Sequence, residues 1–352
     1  MRKPWLARCV AALTIGTTVL AGAATPAAAA VPTTVTTIST GWTIPWGMDW
    51  LPDGRALITE RDSFRVHTLA RNGTKTFVGS VPNAATTGGE GGLLGAAVSP
   101  DFAQTGYVYF FHTAASDNRI VRMRLSGTSL SGYTTLVTGI ARARFHDGGR
   151  IAFGPDGYLY ATTGDAQNTA LAQNRNSLNG KILRMRPDGT PAPGNPFGTL
   201  VYSIGHRNPQ GIAWDSAGRL WAAEFGQNRF DELNLIKAGQ NYGWPTCEGS
   251  CDVAGLTSPK RQWATGEASP SAIAIADDVV YMAALRGERL WRIALSGEDT
   301  ETPQAYYVNQ YGRLRTVVTV PGGNALWLST TNADANGGEP AGADRVFQVT
   351  LA

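Results

Sequence analysis

Six times along the chain a short turn phrase punctuates the sequence, and this repetition constrains the fold more than any other feature. Leu51-Pro52-Asp53-Gly54 is echoed by Ser99-Pro100-Asp101-Phe102, Gly154-Pro155-Asp156-Gly157, Asp215-Ser216-Ala217-Gly218, Ala276-Asp277-Asp278 and Val320-Pro321-Gly322-Gly323. The phrases fall about 45 to 60 residues apart, the period of propeller blades. Each leads into a short apolar strand, among them Ala56-Leu57-Ile58, Tyr158-Leu159-Tyr160 and Ala325-Leu326-Trp327. A polar or glycine-rich gap follows, and then an alternating segment such as Lys181-Ile182-Leu183-Arg184-Met185, which reads as a half-buried strand.

No stretch offers an amphipathic helix of three turns, and 42 glycines with 19 prolines agree with a chain rich in turns. An all-β chain of this length must hide many sheet edges, and a closed ring of short blades does so. The expected fold is therefore all-β, a six-bladed β-propeller with four-stranded antiparallel blades. A double-sheet sandwich is the alternative, but the repeat is too long and too regular for it. Thr34-Val35-Thr36-Thr37-Ile38 has no turn phrase of its own. It is expected to close the ring beside Val346-Phe347-Gln348-Val349.

At the N-terminus, Arg2 and Lys3 precede an apolar run from Leu6 to Ala21, and Ala23 to Ala30 is mostly alanine. That order reads as a signal peptide over residues 1–30, leaving 31–352 as the propeller domain of an exported, extracellular protein. The run is too short for a membrane span of about 20 residues. Cleavage would remove Cys9, so Cys247 and Cys251 would remain and pair in an oxidising compartment. A net charge of +3 is too small to argue for nucleic acid or anionic lipid, and no second apolar segment could span a membrane.

A propeller by itself implies no chemistry, so function must be sought where polar groups interrupt the strands. Phe145-His146-Asp147-Gly148-Gly149-Arg150 precedes the third blade's inner strand, and Thr163-Gly164-Asp165 follows it. His146 and Asp165 are thus expected at opposite ends of one connection. Gly205-His206-Arg207-Asn208-Pro209-Gln210-Gly211 is followed by Glu224-Phe225-Gly226-Gln227-Asn228 and Asp231-Glu232. Arg286, Arg313 and Arg315 are read as following late strands. A lone histidine near a strand end is more often structural than catalytic. Here two of four histidines fall in glycine-rich polar loops near the middle of the chain.

Together with Gly91-Gly92-Leu93-Leu94-Gly95 and Asn241-Tyr242-Gly243-Trp244-Pro245, these phrases resemble the glucose/sorbosone dehydrogenase family from about Gly41 to the C-terminus. Its members are soluble sugar dehydrogenases that use pyrroloquinoline quinone (PQQ) and fold as six-bladed propellers. The resemblance implies that His146 is the base that takes the proton of the anomeric hydroxyl. Hydride then leaves C1 for C5 of the quinone, and the product is a lactone. Asp165 falls on the acid that orients this histidine, and Arg207 and Asn208 fall on quinone contacts, with Arg207 stabilising negative charge on the reduced cofactor.

Arg313 and Arg315 match the family's Arg-x-Arg cofactor clamp and Arg286 a further cofactor-binding cation, as befits a tricarboxylate. The resemblance also implies a calcium ion held by the backbone carbonyls of Gly226 and Gln227, and a second, structural one at the Glu232 side chain and Tyr242 carbonyl. Glu90 stands where glucose dehydrogenases carry a glutamine that contacts substrate and cofactor, and Phe145 replaces the acid before the catalytic histidine. Both changes fall at the substrate mouth. The long loops of the dimeric glucose dehydrogenases are missing, so the shorter, monomeric aldose sugar dehydrogenases are the nearer comparison. The partners implied are a small sugar and an external electron acceptor. Two rivals remain: a non-catalytic carbohydrate-binding propeller, and a hydrolase or lactonase with side-chain carboxylates converging on a channel calcium.

Overall fold

The computed structural model describes Met1 and residues 30–352. The signal-peptide reading therefore lies outside the described residues, apart from its two end positions. Six antiparallel sheets follow one another in chain order, five of four strands and one, the fifth, whose outer strand is broken into Asp299–Thr300 and Gln304–Tyr306. The innermost strands are Pro45–Trp50, Leu93–Val98, Ile151–Phe153, Pro209–Trp214, Pro270–Ala276 and Leu314–Thr319. Each is followed by one of the six turn phrases and a second strand, which are Ala56–Glu60, Tyr107–Thr113, Leu159–Thr163, Leu220–Glu224, Val279–Ala284 and Ala325–Thr330. The propeller reading holds, and the sandwich is excluded.

The ring closes as expected. Pro32–Trp42 adds an outer strand to the last blade by pairing with Asp344–Leu351, with Val35 opposite Val349 and Thr37 opposite Phe347. Ile44 N–H reinforces the joint by donating to the buried Asp344 carboxylate at 2.9 Å. Only two helices occur among the described residues, each a single turn, Phe102–Thr105 and Ala170–Gln173. None is long and apolar enough to cross a membrane.

The apolar core is not central but divided into six clusters, each lying mainly between two neighbouring blades. Aromatic pairs cross these seams: Trp50 on Trp327 at 4.7 Å, Tyr109 on Phe153 at 5.1 Å and Tyr160 on Trp214 at 5.1 Å. Inner strands are consequently covered on both faces, so that Leu93–Val98 and Val279–Ala284 are buried at every position. The half-buried reading of the blades thus applies mainly to outer strands such as Lys75–Ser80. Around the axis, backbone packs on backbone. A Cβ on Gly95 would lie 2.3 Å from the Gly149 carbonyl oxygen, which is why the second blade carries glycine at its contact with the third.

Candidate active site

All six turn phrases lie at one end of the ring, between first and second strands. The loops at the other end, where innermost strands begin and second strands finish, surround a cavity of about 620 Å³. Glu90, His146, Arg207, Asn208, Gly226, Gln227, Arg286, Arg313 and Arg315 all line it, although they come from separate blades. Sequence spacing alone could not reveal this convergence.

His146 sits in the left-handed region at φ 66°, unusual for a residue with a side chain. Its N–H donates to Glu90 Oε2 at 3.0 Å, which helps to hold that conformation. Its Nδ1 lies 2.8 Å from Asp165 Oδ1, and Arg207 Nη2 lies 2.8 Å from its Nε2. Guanidinium can only donate, so Nε2 is the accepting nitrogen and the proton resides on Nδ1, facing the carboxylate. The Nε2 lone pair thereby faces the Arg207 guanidinium, which lines the same cavity. Asp165 is fully buried and accepts two more bonds, from Gln167 N–H and Trp244 Nε1, both at 2.8 Å.

The expected placement of this pair is corrected in one respect. His146 precedes Ile151–Phe153 and Asp165 follows Leu159–Thr163, and these two strands form a hairpin. The residues therefore share the same open end rather than opposite ends of one connection, which is what allows them to touch. Asp147, next to His146 in sequence, turns away to Asn118, and burial pushes its carboxyl up to about 6.

Glu90 ties the loops together, its Oε2 also accepting from Asn208 Nδ2 at 3.0 Å and Gln210 Nε2 at 3.5 Å. Arg207 is gripped by Gln227 Oε1, at 2.9 Å from Nε and 2.6 Å from Nη2. Burial pushes its pKa down, against the pull of Asp165, Glu90 and Glu224.

Arg313 and Arg315 do not follow a late strand. Arg313 immediately precedes, and Arg315 lies within, the innermost strand Leu314–Thr319, at the wall of the cavity. Asp334 Oδ2 lies 3.1 Å from Arg313 and 3.7 Å from Arg315, and Arg315 also donates to Gln210 and Ser271. Burial lowers Arg315 to about 10. The Nε atoms of both arginines are buried without a hydrogen-bond partner. Cations of this kind with donors to spare suit an anionic ligand.

The Gly226-Gln227 segment is shaped by Glu248. One oxygen of that carboxylate accepts the N–H groups of Gln227, Asn228, Arg229 and Phe230 at 2.6, 2.8, 2.8 and 3.2 Å. Burial opposes its ionisation, but the four donors outweigh that and leave it below its ordinary range. Glu248 lies in the loop closed by the expected Cys247–Cys251 disulfide.

Glu232 and Tyr242 do not line the cavity and are buried behind it. Burial and the neighbouring Glu224 push Glu232 up to about 8, and Asn234 Oδ1 beside it has no hydrogen-bond partner. Among the described residues no group of three His, Cys, Asp or Glu side chains could hold a metal. A cation here would need backbone oxygens beside any carboxylate.

The glucose/sorbosone dehydrogenase family profile matches residues 42–337. The chain belongs to this family. Among solved relatives, the chain resembles the PQQ-bound form of aldose sugar dehydrogenase from Streptomyces coelicolor, at 51% identity and TM-score 0.89 over 93% of this chain and 100% of that one. It also matches quinoprotein glucose dehydrogenase B of Acinetobacter calcoaceticus, at 33% identity over 60% of this chain, and aldose sugar dehydrogenase YliI of Escherichia coli, at 32% over 62%. The matched segments span 52% and 63% of those two relatives.

Sequence reasoning overlooked Glu248, Asp334, Gln210 and the Gln227 side chain. Gln210 lies inside the Gly205–Gly211 phrase and Glu248 is the one acid between the two paired cysteines, but sequence reasoning assigns neither a role.

Proposed function

We propose that this protein oxidises an aldose at C1 to the lactone, using PQQ and calcium. The observation that carries the reading is the accepting Nε2 of His146, backed by buried Asp165, on the wall of the cavity that Arg207, Arg286, Arg313 and Arg315 also line. PQQ, when bound, would supply a two-electron hydride acceptor, and calcium would supply Lewis-acid assistance.

The chain's own residues do the rest. His146 takes the anomeric hydroxyl proton at Nε2 once the substrate displaces the Arg207 Nη2 donor from that nitrogen, and the resulting imidazolium is stabilised by Asp165. The arginines that line the cavity offer forks for carboxylates. Gly226 and Gln227 carbonyls provide hard oxygen ligands for calcium, with Glu232 and the Tyr242 carbonyl proposed for a second ion. Glu90 and Asn208 frame the quinone side, while the half-exposed Phe145 flanks the substrate mouth. We further propose residues 1–30 as a signal peptide and 31–352 as the exported catalytic domain, passing electrons to an external acceptor.

Apo-protein mixed with PQQ and Ca²⁺ should reduce a redox dye when aldoses are added. His146→Ala should lower turnover by about 10²- to 10⁴-fold, the scale of general-base catalysis, with PQQ binding retained. Equal turnover in the two proteins would remove His146 from the chemistry. Sugar binding without dye reduction under any cofactor condition would favour the carbohydrate-binding propeller.

A further inference from the structure

We propose that Glu248 is a positioning residue, whose carboxylate aims the Gly226 and Gln227 carbonyls away from itself and toward the cavity. The role rests on the calcium-assisted reading above. A trans peptide points its C=O opposite to its N–H. The peptides that contain the Gly226 and Gln227 carbonyls are trans, and they are the ones whose N–H groups, on Gln227 and Asn228, are captured by Glu248 Oε1 at 2.6 and 2.8 Å. Fixing those two donors fixes the two acceptors. Both residues line the cavity.

The segment has little freedom to settle otherwise. Gly226 N–H donates to Asp231 Oδ1 at 2.8 Å, and a Cβ on Gly226 would stand 1.8 Å from the Phe230 carbonyl oxygen. Gln227 passes the constraint onward, because its Oε1 holds Arg207, which reaches His146. The anchor is itself restrained by the five-residue disulfide loop, and Gly249 N–H in that loop donates to Glu232 Oε1 at 2.7 Å. One cross-linked loop thus supports both proposed calcium positions without a ligand of its own. Such outer-shell support is what sets ion affinity where the ligands are backbone groups.

The test uses the full-length protein, Glu248→Ala and Glu248→Gln, each prepared without cofactor. Calcium is titrated calorimetrically into PQQ-incubated samples, so the readout is binding rather than turnover, and PQQ binding without calcium is measured alongside. Glu248→Ala is expected to weaken calcium binding by about 10- to 100-fold, the usual effect of losing an outer-shell partner. Glu248→Gln keeps an accepting oxygen and should recover much of that loss, with calcium-free PQQ binding equal in all three proteins.

Wild-type affinity in Glu248→Ala would overturn the role. So would a loss that glutamine fails to rescue, since it would signify collapse of the loop rather than misdirected carbonyls. A wild type that binds PQQ but takes up no calcium would remove the calcium reading and this role together, and one that binds no PQQ would refute the proposed function itself.

Discussion

Replacing Asp165 by asparagine isolates the electrostatic part of the histidine's activation. The carboxylate receives three donors, His146 Nδ1, Gln167 N–H and Trp244 Nε1, each at 2.8 Å and all with the acid fully buried. Asparagine has the same shape but only one accepting oxygen, so its NH₂ must face a donor. Turned toward Trp244, it leaves the indole N–H opposed. Turned toward His146, it forces the proton onto Nε2, where Arg207 already donates. In either pose the imidazolium of the proposed reaction loses its buried carboxylate partner, a loss on the scale of a hydrogen bond to a charged group, about 1.5–3 kcal/mol. At roughly 1.4 kcal/mol per decade this lowers kcat by about 10- to 150-fold. Steady-state dye reduction by the PQQ- and calcium-loaded variant at saturating aldose reads the effect, with PQQ affinity measured in parallel and expected to be unchanged. An undiminished kcat, or a loss confined to cofactor affinity, would refute the assignment.

Replacing Arg313 and Arg315 together by alanine should weaken PQQ binding, and fluorescence titration showing unchanged affinity would mean that the cofactor lies elsewhere in the cavity. The raised pKa of Glu232 predicts a pH effect on stability. The folded protein holds a proton there between the ordinary 4.5 and about 8, so stability should fall as pH rises through that window. Thermal unfolding should show the slope flattened in Glu232→Gln and partly offset by added Ca²⁺ in the wild type, whereas identical slopes in both proteins would remove Glu232 as the cause. Trp327→Ala empties a fully buried seam position packed at a tilt against Trp50 and should destabilise the fold by about 3–5 kcal/mol in urea titrations, with a loss below 1 kcal/mol refuting the view that the seams carry the core.

By itself the sequence determined the blades and pointed to part of the cavity's lining. Turn phrases must recur wherever a hairpin recurs, so six of them count six blades, and the unmatched strand Pro32–Trp42 had nowhere to pair except the last. The arginines, His146 and Asp165 were legible because charged groups among apolar strands need a reason to be there.

Tertiary structure decided what faces what. Whether His146 touches Asp165 depends on both lying at one end of a hairpin, and whether Arg207 meets His146 depends on two blades side by side. The same holds for burial. An inner strand's outward-looking face is covered only because a neighbouring blade supplies the other half of the seam, which no local pattern records. Glu248 is the sharpest instance. Its neighbours in sequence announce only a disulfide loop, while its function depends on backbone N–H groups some twenty residues earlier, and backbone groups are the same in every residue but proline.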